Sequence, residues 1–81
     1  MANHLFLEEG EYYCFCEVSE EMDGRFVGWV TFERRADHAA KRERIEAMRH
    51  RVTQSVADRD EAMAAASRYA IEHARHDDTG L

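Results

Sequence analysis

The side chains that could do chemistry are two cysteines, five histidines and a run of arginines. Cys14 and Cys16 are one residue apart. On a strand that spacing points both thiols to one face, with Cα atoms about 6.5–7 Å apart, at the limit for an easy disulfide. A metal centre there would need further ligands, and His73 is the nearest candidate. Packing as small hydrophobes is the simpler reading. His4, His38, His50, His73 and His76 are scattered along the chain. No Ser-His-Asp pattern, glycine-rich phosphate loop or placed pair of carboxylates accompanies them. The expectation is a non-enzymatic protein without cofactor or metal.

The arginines are more clustered. Arg34, Arg35, Lys41, Arg42, Arg44, Arg49 and Arg51 form a basic segment within an acidic chain of net charge −6. Residues 1–33 carry eight acids and one base, residues 34–51 seven bases and three acids, and residues 52–81 six acids and three bases. Overall acidity opposes non-specific nucleic-acid binding. The basic middle could still hold phosphates, with exposed aromatics stacking on bases. The simpler reading is a solvated face paired with Glu43, Glu46 and the acidic N-terminal half.

Positioning these groups needs strands. Glu11–Val18, EYYCFCEV, and Arg25–Glu33, RFVGWVTFE, are rich in aromatic and β-branched residues. Asp23-Gly24 between them marks an antiparallel hairpin. A two-residue turn would bury Glu17. A three-residue turn with Gly24 as a bulge pairs Glu21 with Arg25, and is preferred because one face is then almost wholly apolar. That face carries Tyr12, Cys14, Cys16, Val18, Val30 and Phe32, with Phe26, and Gly28 admits a helix closely. The opposite face carries Tyr13, Phe15, Val27, Trp29 and Thr31, with Glu17 among them.

The covering helix is Asp58–His76, DRDEAMAAASRYAIEHARH. Asp58 and Glu61 have capping-box spacing, and Gly80 reads as the breaker beyond its end. Ala62, Met63, Ala66, Tyr69, Ala70, His73 and Ala74 fall in one arc roughly 140° wide. Between hairpin and helix, the pattern predicts a short helix near 37–46, capped by Asp37, then a third strand near 48–55. Ile45, Met48, Val52 and Val56 also allow one helix over 37–55. Residues 1–10 and 77–81 are expected to fray, although His4–Leu7 could add an edge strand or tuck Phe6 into the core.

The layout, a hairpin with an Asp-Gly turn and then a strand leading into the acid-capped, alanine-rich VTQSVADRDEAMAAASRYA, resembles that of HicB-type antitoxin domains and similar small ββ…βα modules. The resemblance covers most of the chain and is one of layout alone. The glycine- and cysteine-containing turn that such domains often carry before the helix is missing, so no residue roles follow from it.

These observations converge on a single small α+β domain over residues 1–81. Its antiparallel sheet of a hairpin and a third strand carries one C-terminal amphipathic helix, in ββ(α)βα order. Eighty-one residues support only a modest core, which self-association would help. The start has no basic stretch before Leu5-Phe6-Leu7, so no secretory signal is expected. Two cysteines fit a reducing, cytoplasmic setting. No apolar run approaches membrane-spanning length. A helix covers only one side of a small sheet, so Tyr13, Phe15, Val27 and Trp29 on the other side call for a protein partner or a homodimer, unless Leu5-Phe6-Leu7 or the middle segment folds over them. If the basic segment instead binds nucleic acid, the protein will stay on heparin at low salt and elute steeply as salt rises. Flow-through at low salt would remove that alternative.

Overall fold

The computed structural model describes residues 3–81 and is an α+β fold with a four-stranded antiparallel sheet and a C-terminal helix on one face. The elements are β1 (His4–Glu9), β2 (Tyr12–Glu20), β3 (Phe26–Arg34), α1 (Arg35–Ala39), β4 (Ala47–Arg51) and α2 (Arg59–Arg75). The strands lie in chain order, β1-β2-β3-β4.

The β2–β3 hairpin has the three-residue loop Met22-Asp23-Gly24. The Glu21 amide donates to the Arg25 carbonyl at 2.7 Å, and Gly24 has φ of 80°. Only that bulge register sets Cys14 against Phe32 and Cys16 against Val30. Tyr12, Cys14, Cys16, Val18, Val30 and Phe32 are buried on the helix side, as the alternation predicts.

α2 meets this face with alanine. Ala62, Ala66, Ala70 and Ala74 recur every fourth residue and are its buried positions. Small side chains bring the helix backbone close to the sheet, so the bulk of the core comes from the strands. The approach is tightest at Gly28, where a Cβ would lie 2.6 Å from the Ala62 carbonyl oxygen. Asp58 caps the helix by accepting from the Asp60 amide at 3.0 Å, one residue short of the capping-box position.

The other end of α2 falls where expected, with His76 as its last, half-helical residue. The Asp78 amide donates to the His73 carbonyl and the Asp77 amide to the Ala74 carbonyl, with Asp77 at φ of 55°. This is a Schellman closure with aspartate where glycine is usual. It stops the helix before Gly80. The Asp77 carboxylate accepts a hydrogen bond from the Tyr12 hydroxyl, a long-range bond that helps hold this left-handed residue. The segment after it is packed, not frayed. Thr79 is buried, its carbonyl lies 2.7 Å from His50 Nε2, and Leu81 joins the core.

Three further expectations are corrected. Residues 4–9 form a strand, because the edge of β2 supplies the partners that a short segment cannot supply for itself; residues 1–2 lie outside the described residues. The short helix is Arg35–Ala39, earlier than 37–46. Asp37 sits inside it, buried between Arg34 at 3.5 Å and Arg42 at 3.3 Å, and is not its cap. The strand expected over 48–55 ends at Arg51. Beyond it the Val52 amide still donates to the Gly28 carbonyl at 2.8 Å, but the Thr53 hydroxyl, not a backbone carbonyl, accepts from the Gly28 amide, and backbone pairing resumes at the Phe26–Val56 bridge.

Gly28→Ala is expected to destabilise the fold by about 1–3 kcal/mol, because the new methyl must push α2 off the sheet. Urea denaturation measures this. An unchanged midpoint would mean that the helix does not sit at this distance.

Candidate interaction face

The sheet face away from α2 is built of cross-strand rows. One row runs His4, Glu17, Trp29, Arg51; the next Phe6, Phe15, Thr31, Arg49; the third Glu8, Tyr13, Glu33, Ala47. Aromatic rings collect on β1 and β2. Phe6 lies 5.2 Å from Phe15 and 5.5 Å from Tyr13, centroid to centroid. Phe6 is 51% exposed and Phe15 38%, both high for large apolar side chains. Tyr13 is half-buried, with the His38 ring edge-on at 5.0 Å. His38 Nε2 in turn lies 2.6 Å from a Glu33 carboxylate oxygen.

Trp29 is positioned from two sides. Its indole N–H donates to the Ser19 hydroxyl at 2.9 Å, and the Arg49 guanidinium stacks 3.9 Å above the ring. A cation at that distance is attracted by the ring's negative face. Arg49 also bonds Glu17 at 2.7 Å.

Of the residues expected on this face, Tyr13, Phe15 and Trp29 present surface. Val27 does not: it is on this side of the sheet but fully buried. The indole leans along the strand to reach Ser19, the cross-strand neighbour of Val27, and the returning segment at Thr53–Val56 flanks its other side. Phe6 is the member that the sequence left undecided between edge and core. The signal available for it was the alternation of His4, Phe6 and Glu8 against Leu5 and Leu7.

The basic residues do not share one patch. Arg34 and Arg42 converge on Asp37, and Arg34 also reaches Glu46 at 3.4 Å. Arg49 reaches Glu17 on β2, and Arg51 reaches Glu21 just past the end of β2 at 4.0 Å. Arg35 donates to the Gly10 carbonyl. Lys41 and Arg44 are exposed in the loop before β4.

The two thiols are free and buried on the helix side. His73 stacks on Tyr69 at 3.8 Å, with Nδ1 3.0 Å from the Asp78 carbonyl oxygen. Among the described residues no group of three or more His, Cys, Asp or Glu is arranged to hold a metal ion. No helix among them is long and apolar enough to cross a membrane.

Burial pushes the Cys14 thiol from 9.0 up to about 11, and raises Cys16 as well. Both therefore stay protonated at neutral pH and are poor nucleophiles. Below pH 9 the folded and unfolded chains both keep the Cys14 proton. Between pH 9 and about 11 the unfolded chain releases it first, so stability is expected to fall across that window. Urea midpoints taken from pH 7 upward measure this. At pH 8 a thiol reagent should label the native protein only as fast as it unfolds, and immediate labelling of both cysteines would contradict their burial. No protein family matches the chain, and neither the curated proteins nor the solved structures contain a significant match to it.

Proposed function

We propose that this protein is a small non-enzymatic interaction or regulatory module, working in the reducing cytoplasm, that binds a protein partner through the open face of its sheet. The observation that carries the reading is the exposed pair Phe6 and Phe15, in contact with each other and with Tyr13, on the side that α2 leaves open. Contiguous exposed apolar surface is costly in water, and on soluble proteins it marks contact sites. Tyr and Trp are the usual anchors of such sites, because they bury large area with little loss of side-chain freedom. Tyr13 and Trp29 flank the pair, and Arg49 holds the indole in place. The free, buried thiols are consistent with a reducing compartment.

The test is capture from the source cytoplasm with tagged protein, with and without nuclease. The expected result is a stoichiometric protein that survives nuclease and is lost with Phe15→Ser, and weakened at least about tenfold with Trp29→Ala. Circular dichroism should show the fold intact in both. Capture that ignores both substitutions would sink the reading, and capture that disappears with nuclease would shift the contact to the arginines.

A further inference from the structure

The two edges of the sheet are unlike. β4 carries Arg49 and Arg51 along its edge, and the C-terminal segment packs against it through His50. Charged edges and covering segments are how proteins prevent unwanted strand pairing. β1, His-Leu-Phe-Leu-Glu-Glu, has no proline, lysine or bulge along its six residues. The Val18 amide donates to the Asn3 carbonyl, which fixes the alternation of its bonds to β2. Leu5, Leu7 and Glu9 bond inward. His4, Phe6 and Glu8 turn their backbone N–H and C=O groups outward. Among the described residues nothing pairs with that outward row. Apolar side chains lie on both sides of the strand, Phe6 on the open side and Leu5 and Leu7 on the helix side, with Leu5 40% exposed. α2 lies mainly over β2 and β3, and grips β1 near its end, where Arg75 bonds Glu9.

We propose that the β1 edge pairs with the β1 edge of a second copy of this chain, antiparallel, about a two-fold axis through Phe6. Outward-facing residues must pair with outward-facing residues, so the axis can pass through Leu5, Phe6 or Leu7. Only the Phe6 register engages His4, Phe6 and Glu8 of both copies. It sets His4 against Glu8 of the partner subunit and the two Phe6 rings against each other. On the helix side it sets Leu5 against Leu7 of the partner subunit. The other two registers place Phe6 against His4 or Glu8 and leave one outward residue beyond the pairing. The strand is thus complementary to itself in charge and in shape about its centre, as a two-fold interface requires. The product is one continuous eight-stranded sheet with both α2 helices on the same side. The two Phe6-Phe15-Tyr13 clusters meet across the axis and stay open to a partner. The pairing uses the backbone edge and does not depend on the proposed function of that face.

The test is sedimentation equilibrium on the full chain, with amide hydrogen exchange at matched concentrations. The wild type is expected to form a dimer, and the Phe6 and Glu8 amides to exchange more slowly as the dimer fills. Glu8→Pro removes an outward N–H that β2 does not use, and should weaken the dimer by about tenfold or more. His4→Glu places like charges in opposition and should weaken it by a similar factor, roughly tenfold over the two symmetric pairs. The double variant His4→Glu with Glu8→Lys restores opposite charges and should recover most of that loss. Trp29→Ala should leave the dimer unchanged. A wild type that is monomeric at about 0.5 mM would overturn the proposal. So would a dimer lost with Trp29→Ala and kept with Glu8→Pro, which would place self-association on the aromatic face. If Glu8→Pro fails to fold, the charge pair decides: a double variant no tighter than His4→Glu alone overturns the register.

Discussion

The close contact between α2 and β3 is the constraint on which the rest of the structure depends. Gly28 has no side chain, and the Ala62 carbonyl occupies the space where one would be. The alanines at every fourth position continue that contact along the helix. A helix held so near the sheet has room only for alanine along its central line, with Met63 and Tyr69 packed at its flanks, so Phe32, Val30 and the two cysteines fill the core from below. Those cysteines are compact and apolar enough for the space. Their most visible chemical property, a pair of thiols, is therefore a by-product of packing. The helix also determines which side of the sheet is left open, and so which aromatics face water.

Electrostatics in this molecule are local. The sequence divides into acidic, basic and acidic thirds, which suggests a basic patch. In the folded chain the meander lays β4 beside β3 and within reach of β2, and Arg49 and Arg51 find Glu17 and Glu21 there. Arg34 and Arg42 enclose Asp37. The exposed Arg49–Glu17 and Arg51–Glu21 pairs add little stability, typically under about 1 kcal/mol each. Their effect here is on shape: Arg49 is fixed over Trp29, and Asp37 holds the turn out of β3.

The parts of the fold legible in the sequence are those specified by near neighbours along the chain. The hairpin register follows from one glycine and the alternation of apolar residues. The helix follows from its alanine spacing and its aspartate cap. The parts that were not legible depend on residues far apart in sequence. β1 is a strand because β2 is there to pair with it. Residues 77–81 are packed and not frayed, because the Tyr12 hydroxyl that bonds Asp77 and the His50 ring beside the Thr79 carbonyl come from far along the chain. Val27 has the right alternation for the open face, yet Trp29 and the returning segment bury it. The candidate face followed the same division: Tyr13, Phe15 and Trp29 were readable from hairpin register, whereas Phe6 and the Arg49 stack required the β1–β2 and β3–β4 pairings.

The strands are neighbours in space in the order in which they occur in the chain. On a ribosome, which delivers the N-terminus first at about 5–20 residues per second, such a meander can add each strand to the last without waiting for a distant one. The sheet is complete once Arg51 has emerged. Its cover is not, because α2 begins at Arg59 and its last buried alanine is Ala74. Until those residues follow, Cys14, Cys16, Val30 and Phe32 lack their cover on one side of the sheet, and the aromatic face is open on the other. The thiols that are buried in the finished protein are accessible in a chain that lacks this cover. The vulnerable state of this protein is thus the one that lacks its last helix.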